Sequence, residues 1–113
     1  MSRQCTDFEG AILFVVGFVF GGSHMADCNG WQTAMLWFAE RCTRLKLQRA
    51  FENLAAQGLL DLTDCHNKPF RGDQRIAFFT EQYRATLTTE GAEYFHNLRF
   101  TAKGGKLHVA VAA

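Results

Sequence analysis

The stretch from Leu47 to Asp64, LQRAFENLAAQGLLDLTD, changes its hydrophobic period at a single glycine. Before Gly58, the residues Leu47, Ala50, Phe51 and Leu54 recur at i, i+3, i+4 and i+7, which places them on one stripe of an α-helix. After it, Leu60 and Leu62 alternate with Asp61 and Thr63, the period of a half-exposed strand. Thr43 is the expected N-cap of a helix over 43–57, and Gly58 supplies the left-handed residue that closes it. A chain built this way must turn a helix directly into a strand. Arg44, Gln48, Arg49, Glu52, Asn53 and Gln57 fall off the apolar stripe and are expected on the outer face.

The flanks of this switch read as further short elements. AILFVVGFVFGG, Ala11 to Gly22, is too short to span a bilayer, which takes about 20 apolar residues. It also lacks the positive front of a secretion signal, because Asp7 and Glu9 outweigh Arg3. It reads as a helix over 7–22, capped by Thr6 or Asp7 and stopped by Gly21-Gly22. Its apolar residues face nearly every direction, so it is either the central core helix or, over Ala11 to Phe20, a homodimer contact. The abundance of β-branched residues leaves a buried strand open as well. GGSHM resembles a vector-derived scar, but no tag precedes it and the leader is read as native. CNGWQTAMLWFAERC predicts a second helix entered near Asn29 or Gly30, with Ala34, Leu36, Trp37 and Phe38 on its apolar side and both Trp31 and Trp37 in the core. CHNKPFRGDQR predicts an exposed loop. IAFF is a return strand or a small insertion. YRATLT alternates again, with Tyr83, Ala85 and Leu87 on one side. TTEGAEYFHNL begins a last helix capped by Thr88 or Thr89, with Ala92, Phe95 and Leu98 inward. The tail 99–113 is expected to be loose or a short added strand.

Length and charge set the limits. The 113 residues suit one domain with one core, since 48% of them are hydrophobic. The net charge is +1, yet residues 1–40 hold one basic residue against four acids while residues 41–75 hold seven against four. That asymmetry predicts one basic face. The four cysteines, Cys5, Cys28, Cys42 and Cys65, form no C-x-x-C pair, and His24, His66, His96 and His108 are scattered, so no metal or cofactor is expected. Reduced thiols and a cytoplasmic location follow as the default. Cys65-His66 lacks a third partner for nucleophilic catalysis, so no enzymatic activity is expected. The RGD at Arg71 to Asp73 is short enough to occur by chance.

The order helix, helix, helix, strand, loop, strand, helix resembles the winged helix-turn-helix fold. LWFAERCTRLKLQRAFENLAAQGLLDL is similar to the family's paired helices, with the close Leu-x-x-x-Gly-Leu at Leu54 to Leu59. YRATLTTEGAEYF resembles the second wing strand and following helix of MarR- and PadR-like regulators, through Leu87, Thr88 and Gly91. The resemblance covers about residues 29–98. It departs from the pattern in a short inter-helix turn holding Cys42, a long stretch between the wing strands, and no long C-terminal dimerisation helix. It implies an α+β, mainly helical single domain over 1–113, with a two- or three-stranded wing and an apolar N-terminal helix.

The function implied is a small DNA-binding transcriptional regulator, a homodimer on double-stranded DNA, using helix 43–57 and wing 64–82. Helix-turn-helix proteins place their second helix in the major groove, where its outer side chains meet phosphates and base edges. The residues expected to contact DNA are Arg41, Arg44, Lys46, Gln48, Arg49 and Asn53, with Lys68, Arg71 and Arg75 from the wing. Glu52 lies on the same outer face and opposes phosphate binding. The alternative is a winged-helix protein-interaction module, a phage- or plasmid-type inhibitor or an assembly subunit, without DNA binding.

Overall fold

Thr6 starts the first helix. Its side chain accepts from the Glu9 N–H at 3.1 Å, and the Glu9 carboxylate accepts from the Thr6 N–H at 2.9 Å, a reciprocal cap that satisfies two otherwise orphaned donors. The computed structural model describes residues 5–38, 41–64, 66, 68–69, 82–104 and 106–111. Helix α1 runs Asp7–Phe14, continues as a π-helical turn over Val15–Val19, and stops at Gly21 and Gly22, whose φ values of 69° and 110° suit glycine. Ala11, Ile12, Leu13, Val15 and Val16 are fully buried in the chain's own core. The expectation that Ala11 to Phe20 forms a dimer contact therefore fails for the half of the segment made by these side chains, which are already consumed in the core. Phe18 alone protrudes fully, with 71% of its surface exposed.

A strand absent from the sequence reading follows. β1, Ser23–Ala26, joins the leader to the sheet, so the segment around GSHM is a structural part of the domain. Helix α2 spans Cys28–Met35 behind an Asp27 cap. Its last turn tightens into i→i+3 bonds, Trp37 N–H to Ala34 O and Phe38 N–H to Met35 O. That tightening swings the next side chains off the helical face. Trp37 is 62% exposed and Leu36 is exposed beside it, contrary to the expected core position of Trp37. Trp31 is buried as expected.

Helix α3 spans Arg44–Ala56 and is followed by strand β2, Leu60–Asp64. β3, Tyr83–Leu87, leads into helix α4, Thr89–His96. The strands form one antiparallel sheet in the order β1-β3-β2, with Leu62 and His24 both opposite Ala85. The tail is not loose. β4, Leu98–Lys103, and β5, Lys106–Val111, form a second antiparallel sheet. With five strands among the described residues, the fold is α+β, and helices dominate it less than expected.

Two short motifs lock the centre together. Gly58, at φ 76°, closes α3: its N–H bonds Ala55 O, and the Leu59 N–H bonds Leu54 O. Thr88 then caps α4 by accepting from the Gly91 N–H at 2.8 Å, while its hydroxyl donates to Gly58 O at 2.6 Å. Gly91 lies against the Leu59 carbonyl so closely that any Cβ there would collide with backbone. The end of α3 and the start of α4 are thus one joint. Beneath it, Trp31 of α2, Phe51 of α3 and Tyr83 of β3 pack edge to face or stacked, with Trp31 and Phe51 centroids 5.1 Å apart and Phe51 and Tyr83 5.7 Å apart.

Candidate nucleic-acid interface

Thr43 accepts from the Lys46 N–H at 3.1 Å and fixes the start of α3. Leu47, Ala50, Phe51 and Leu54 then anchor one side in the core, which leaves Leu45, Lys46, Arg49 and Asn53 exposed on the other. Leu45 was missed at the sequence level. It is half exposed and sits on the same face as Arg49, one helical turn away. Arg41 and Arg44 are also exposed, at the α2 side of the helix, where an Arg44 Nη donates to Asn29 Oδ1 at 3.2 Å. Lys46 Nζ lies 4.7 Å from the centre of the Phe8 ring. Among the described residues, no acid pairs with Arg41, Lys46 or Arg49.

Gln48 is not on the outer face. It is 3% exposed, its amide N–H₂ donates to Glu52 Oε1 at 2.8 Å, and its Oε1 is buried without a hydrogen-bond partner. A side chain so placed does not reach a base edge, and the expectation that Gln48 reads DNA is withdrawn. Helical spacing puts position 48 outside the apolar stripe, beyond Arg44, and it is the packing around that flank of α3 that buries it. The same bond accounts for Glu52, which is half-buried and held to its own helix instead of standing free beside Arg49.

Of the expected wing residues, Lys68 is exposed at the end of β2. Its N–H donates to Asp64 Oδ1 at 2.9 Å, and the His66 N–H donates to the same oxygen at 2.8 Å. The Lys68 and His66 N–H groups hold the Asp64 carboxyl below its usual range. Asp64 thus holds the His66 and Lys68 backbone close to the end of β2. Arg71 and Arg75 lie outside the described residues, as do Cys65 and IAFF.

The β4–β5 hairpin contributes more than its sequence announced. Cross-strand pairs Phe100–Val109 and Ala102–Leu107 turn one face toward α1, while Arg99, Thr101, Lys103, Lys106 and His108 lie on the other. Its only advance signal was the alternation from Arg99 to Lys103 before a Gly-Gly turn. The hairpin is held to α1 through Asp7, whose carboxylate accepts from the Val109 N–H at 2.9 Å and contacts His108 Nδ1 at 3.1 Å. Those bonds, the Val109 one first, lower the Asp7 pKa.

Cys5, Cys28 and Cys42 are free thiols, all pushed up in pKa first by burial, which makes them poor nucleophiles. Among the described residues no helix is long and apolar enough to cross a membrane, and no three His, Cys, Asp or Glu side chains are grouped to hold a metal ion. Comparison with protein-family models, curated proteins and solved structures found no match to this chain.

Proposed function

We propose that this chain is a winged-helix DNA-binding protein, a cytoplasmic transcriptional regulator that lays α3 in the major groove of duplex DNA. The observation that carries this reading is the outer face of α3. Lys46, Arg49 and Asn53 stand exposed, and among the described residues no acid pairs with the two cations, while Gln48 holds the helix's own carboxylate, Glu52. Arginine, lysine and asparagine there match phosphates and purine edges, and Leu45 matches a thymine methyl. The element order α1, β1, α2, α3, β2, β3 with the sheet order β1-β3-β2 supports the winged-helix reading. So does the Gly58–Gly91 joint, which gives a physical reason for the two motifs shared with MarR- and PadR-like regulators to occur together.

Fluorescence anisotropy with labelled duplexes tests the proposal. Tight binding at low salt is expected, and Lys46→Ala with Arg49→Ala should flatten the salt dependence by about 0.9 per lost phosphate contact. A salt slope identical to that of the parent would remove α3 from the interface.

A specific observation favours a second reading, the protein-interaction module. Exposed Phe18 stacks on Phe14 at 5.0 Å, Phe14 meets Phe38 at 5.0 Å, and exposed Trp37 lies 6.4 Å from Phe38. This aromatic strip is also where a homodimer would form, now in place of the whole Ala11 to Phe20 segment. Light scattering of Phe18→Ser with Trp37→Ser separates the two uses. A dimeric parent made monomeric supports the regulator's dimer; a monomeric parent without duplex affinity supports the module.

A further inference from the structure

We infer that the outer edge of β4 is a docking strand, along which an extended acidic segment of a partner protein adds to the β4–β5 hairpin as a third strand. The inference is independent of the reading of α3 and uses residues that reading leaves aside.

The hairpin ladder shows which edge is open. Phe100 faces Val109 and Ala102 faces Leu107 across the two strands. The Leu107 N–H donates to Phe38 O at 2.8 Å, and the Val109 N–H donates to the Asp7 carboxylate at 2.9 Å. Both N–H groups therefore point out of the hairpin, which makes these the non-hydrogen-bonded pairs of an antiparallel ladder. Phe100 and Ala102 must then turn their own N–H and C=O groups outward along the opposite edge. Among the described residues, none hydrogen-bonds those groups there. The edge of β5 is taken up by α1 and the end of α2, whereas the edge of β4 is a template for another strand.

The side chains select the occupant. Arg99, Thr101 and Lys103 share one face of β4 and are exposed. Among the described residues, no acid pairs with Arg99 or Lys103. Phe100 lies on the other face, half-buried, with its ring 5.0 Å from that of Phe14 and 5.4 Å from that of Phe95. A second copy fits poorly, because antiparallel pairing of two β4 strands about Thr101 opposes Arg99 with Lys103, a like-charge pair. The same two cations favour a strand that carries carboxylates. The segment that fits places Asp or Glu beside Arg99 and Lys103 and an apolar side chain over Phe100, so acids and apolar residues alternate along it.

The open edge is also preformed. Gly10 of α1 lies directly against Val109, where a Cβ would collide with the valine side chain. Together with the bonds to Phe38 and Asp7, that contact fixes the hairpin from its far side. The ordering cost of docking then falls on the incoming segment alone.

The test uses the full chain and a short labelled peptide in which Glu and Val alternate, with a Lys–Val peptide as its counterpart. Anisotropy should show saturable binding of the Glu–Val peptide, and binding of the Lys–Val peptide weaker by about tenfold or more. On adding the Glu–Val peptide, hydrogen exchange at the Phe100 and Ala102 amides should slow, while exchange at Thr101, whose pairing with His108 lies inside the hairpin, should not. Ala102→Pro removes an outward donor where an edge strand tolerates proline, and should abolish binding with both cations intact. Arg99→Glu with Lys103→Glu should invert the preference in favour of the Lys–Val peptide at unchanged circular dichroism, because both side chains are exposed. That variant keeps the test decisive should Ala102→Pro disturb the hairpin. No saturable binding by the parent up to about 1 mM peptide, unchanged exchange at Phe100 and Ala102, or a charge-reversed variant that keeps the parental preference overturns the docking strand. So does a duplex oligonucleotide that protects these two amides where the peptide does not, since the edge then serves nucleic acid. A parent that dimerises with the two amides protected overturns it too, since a second copy is then the occupant.

Discussion

The two faces of α3 answer to different forces. On the inner face, Leu47, Ala50, Phe51 and Leu54 are buried against α2, β3 and the joint with α4, and their identities are set by packing. On the outer face, Leu45, Lys46, Arg49 and Asn53 touch little of their own chain, and packing does not dictate them. Between the two lies Gln48, apolar in position and polar in chemistry. It faces inward but uses its amide to hold Glu52. The difference separates what a substitution should report: stability from the inner face, binding from the outer.

The largest effect is expected at Phe51. Phe51→Ala removes the ring wedged between Trp31 and Tyr83 and should cost about 3–5 kcal/mol in urea denaturation. A loss no larger than that of an exposed residue would mean that the inner face is not core. Gly91→Ala comes next. The new methyl has only the Leu59 carbonyl to displace, so a loss of about 2–3 kcal/mol is expected from overpacking. Gly104→Ala, with nothing near its Cβ position but a φ of 62°, isolates the left-handed backbone cost of losing a glycine from the collision that Gly91→Ala adds.

A smaller and pH-dependent effect belongs to Asp7. Its carboxyl is lowered in the folded chain, chiefly by the Val109 N–H and then by His108. A depressed folded pKa means that the contribution is present above the unfolded value of about 3.9 and lost as pH falls through the lower folded value. The parent should therefore lose thermal stability, as pH falls below about 4, more steeply than Asp7→Asn. Parallel curves would mean that the carboxylate adds nothing. Because Asp7 is largely exposed, screening keeps its contribution under about 1 kcal/mol. Gln48→Leu should change stability by less than about 1 kcal/mol, since losing the bond to Glu52 is offset by removing a buried carbonyl that has no partner. Arg49→Ala should change stability least of all, by about 0.5 kcal/mol or less. An unfolding effect at Arg49 comparable to that at Phe51 would erase the distinction between the faces.

The contrast also explains what was legible from sequence. Thr43, Gly58 and Thr88 were readable because caps and stops act within a few residues of themselves. The alternation at Leu60 and Leu62 was readable for the same local reason. β1 was not, because Ser23–Ala26 has four half-buried residues and owes its strand to β3, some sixty positions away. Trp37 was placed in the core by assuming that α2 continued past Met35, whereas its tightened last turn points the indole outward. Gln48 failed because helical spacing gives an angle around α3 but not what packs against that angle. The hairpin's basic face was passed over as tail, although its alternation was present. Six of the nine residues expected to bind DNA, Arg41, Arg44, Lys46, Arg49, Asn53 and Lys68, are exposed.

The central claim, that the outer face of α3 binds duplex DNA, is tested most directly by the salt dependence of duplex affinity for the parent and for Arg49→Ala. The account predicts measurable binding by the parent at low salt, and a slope of log affinity against log salt shallower by about 0.9 in Arg49→Ala at unchanged thermal stability. Superimposable curves for the two proteins, or no duplex binding by a folded parent, would contradict it.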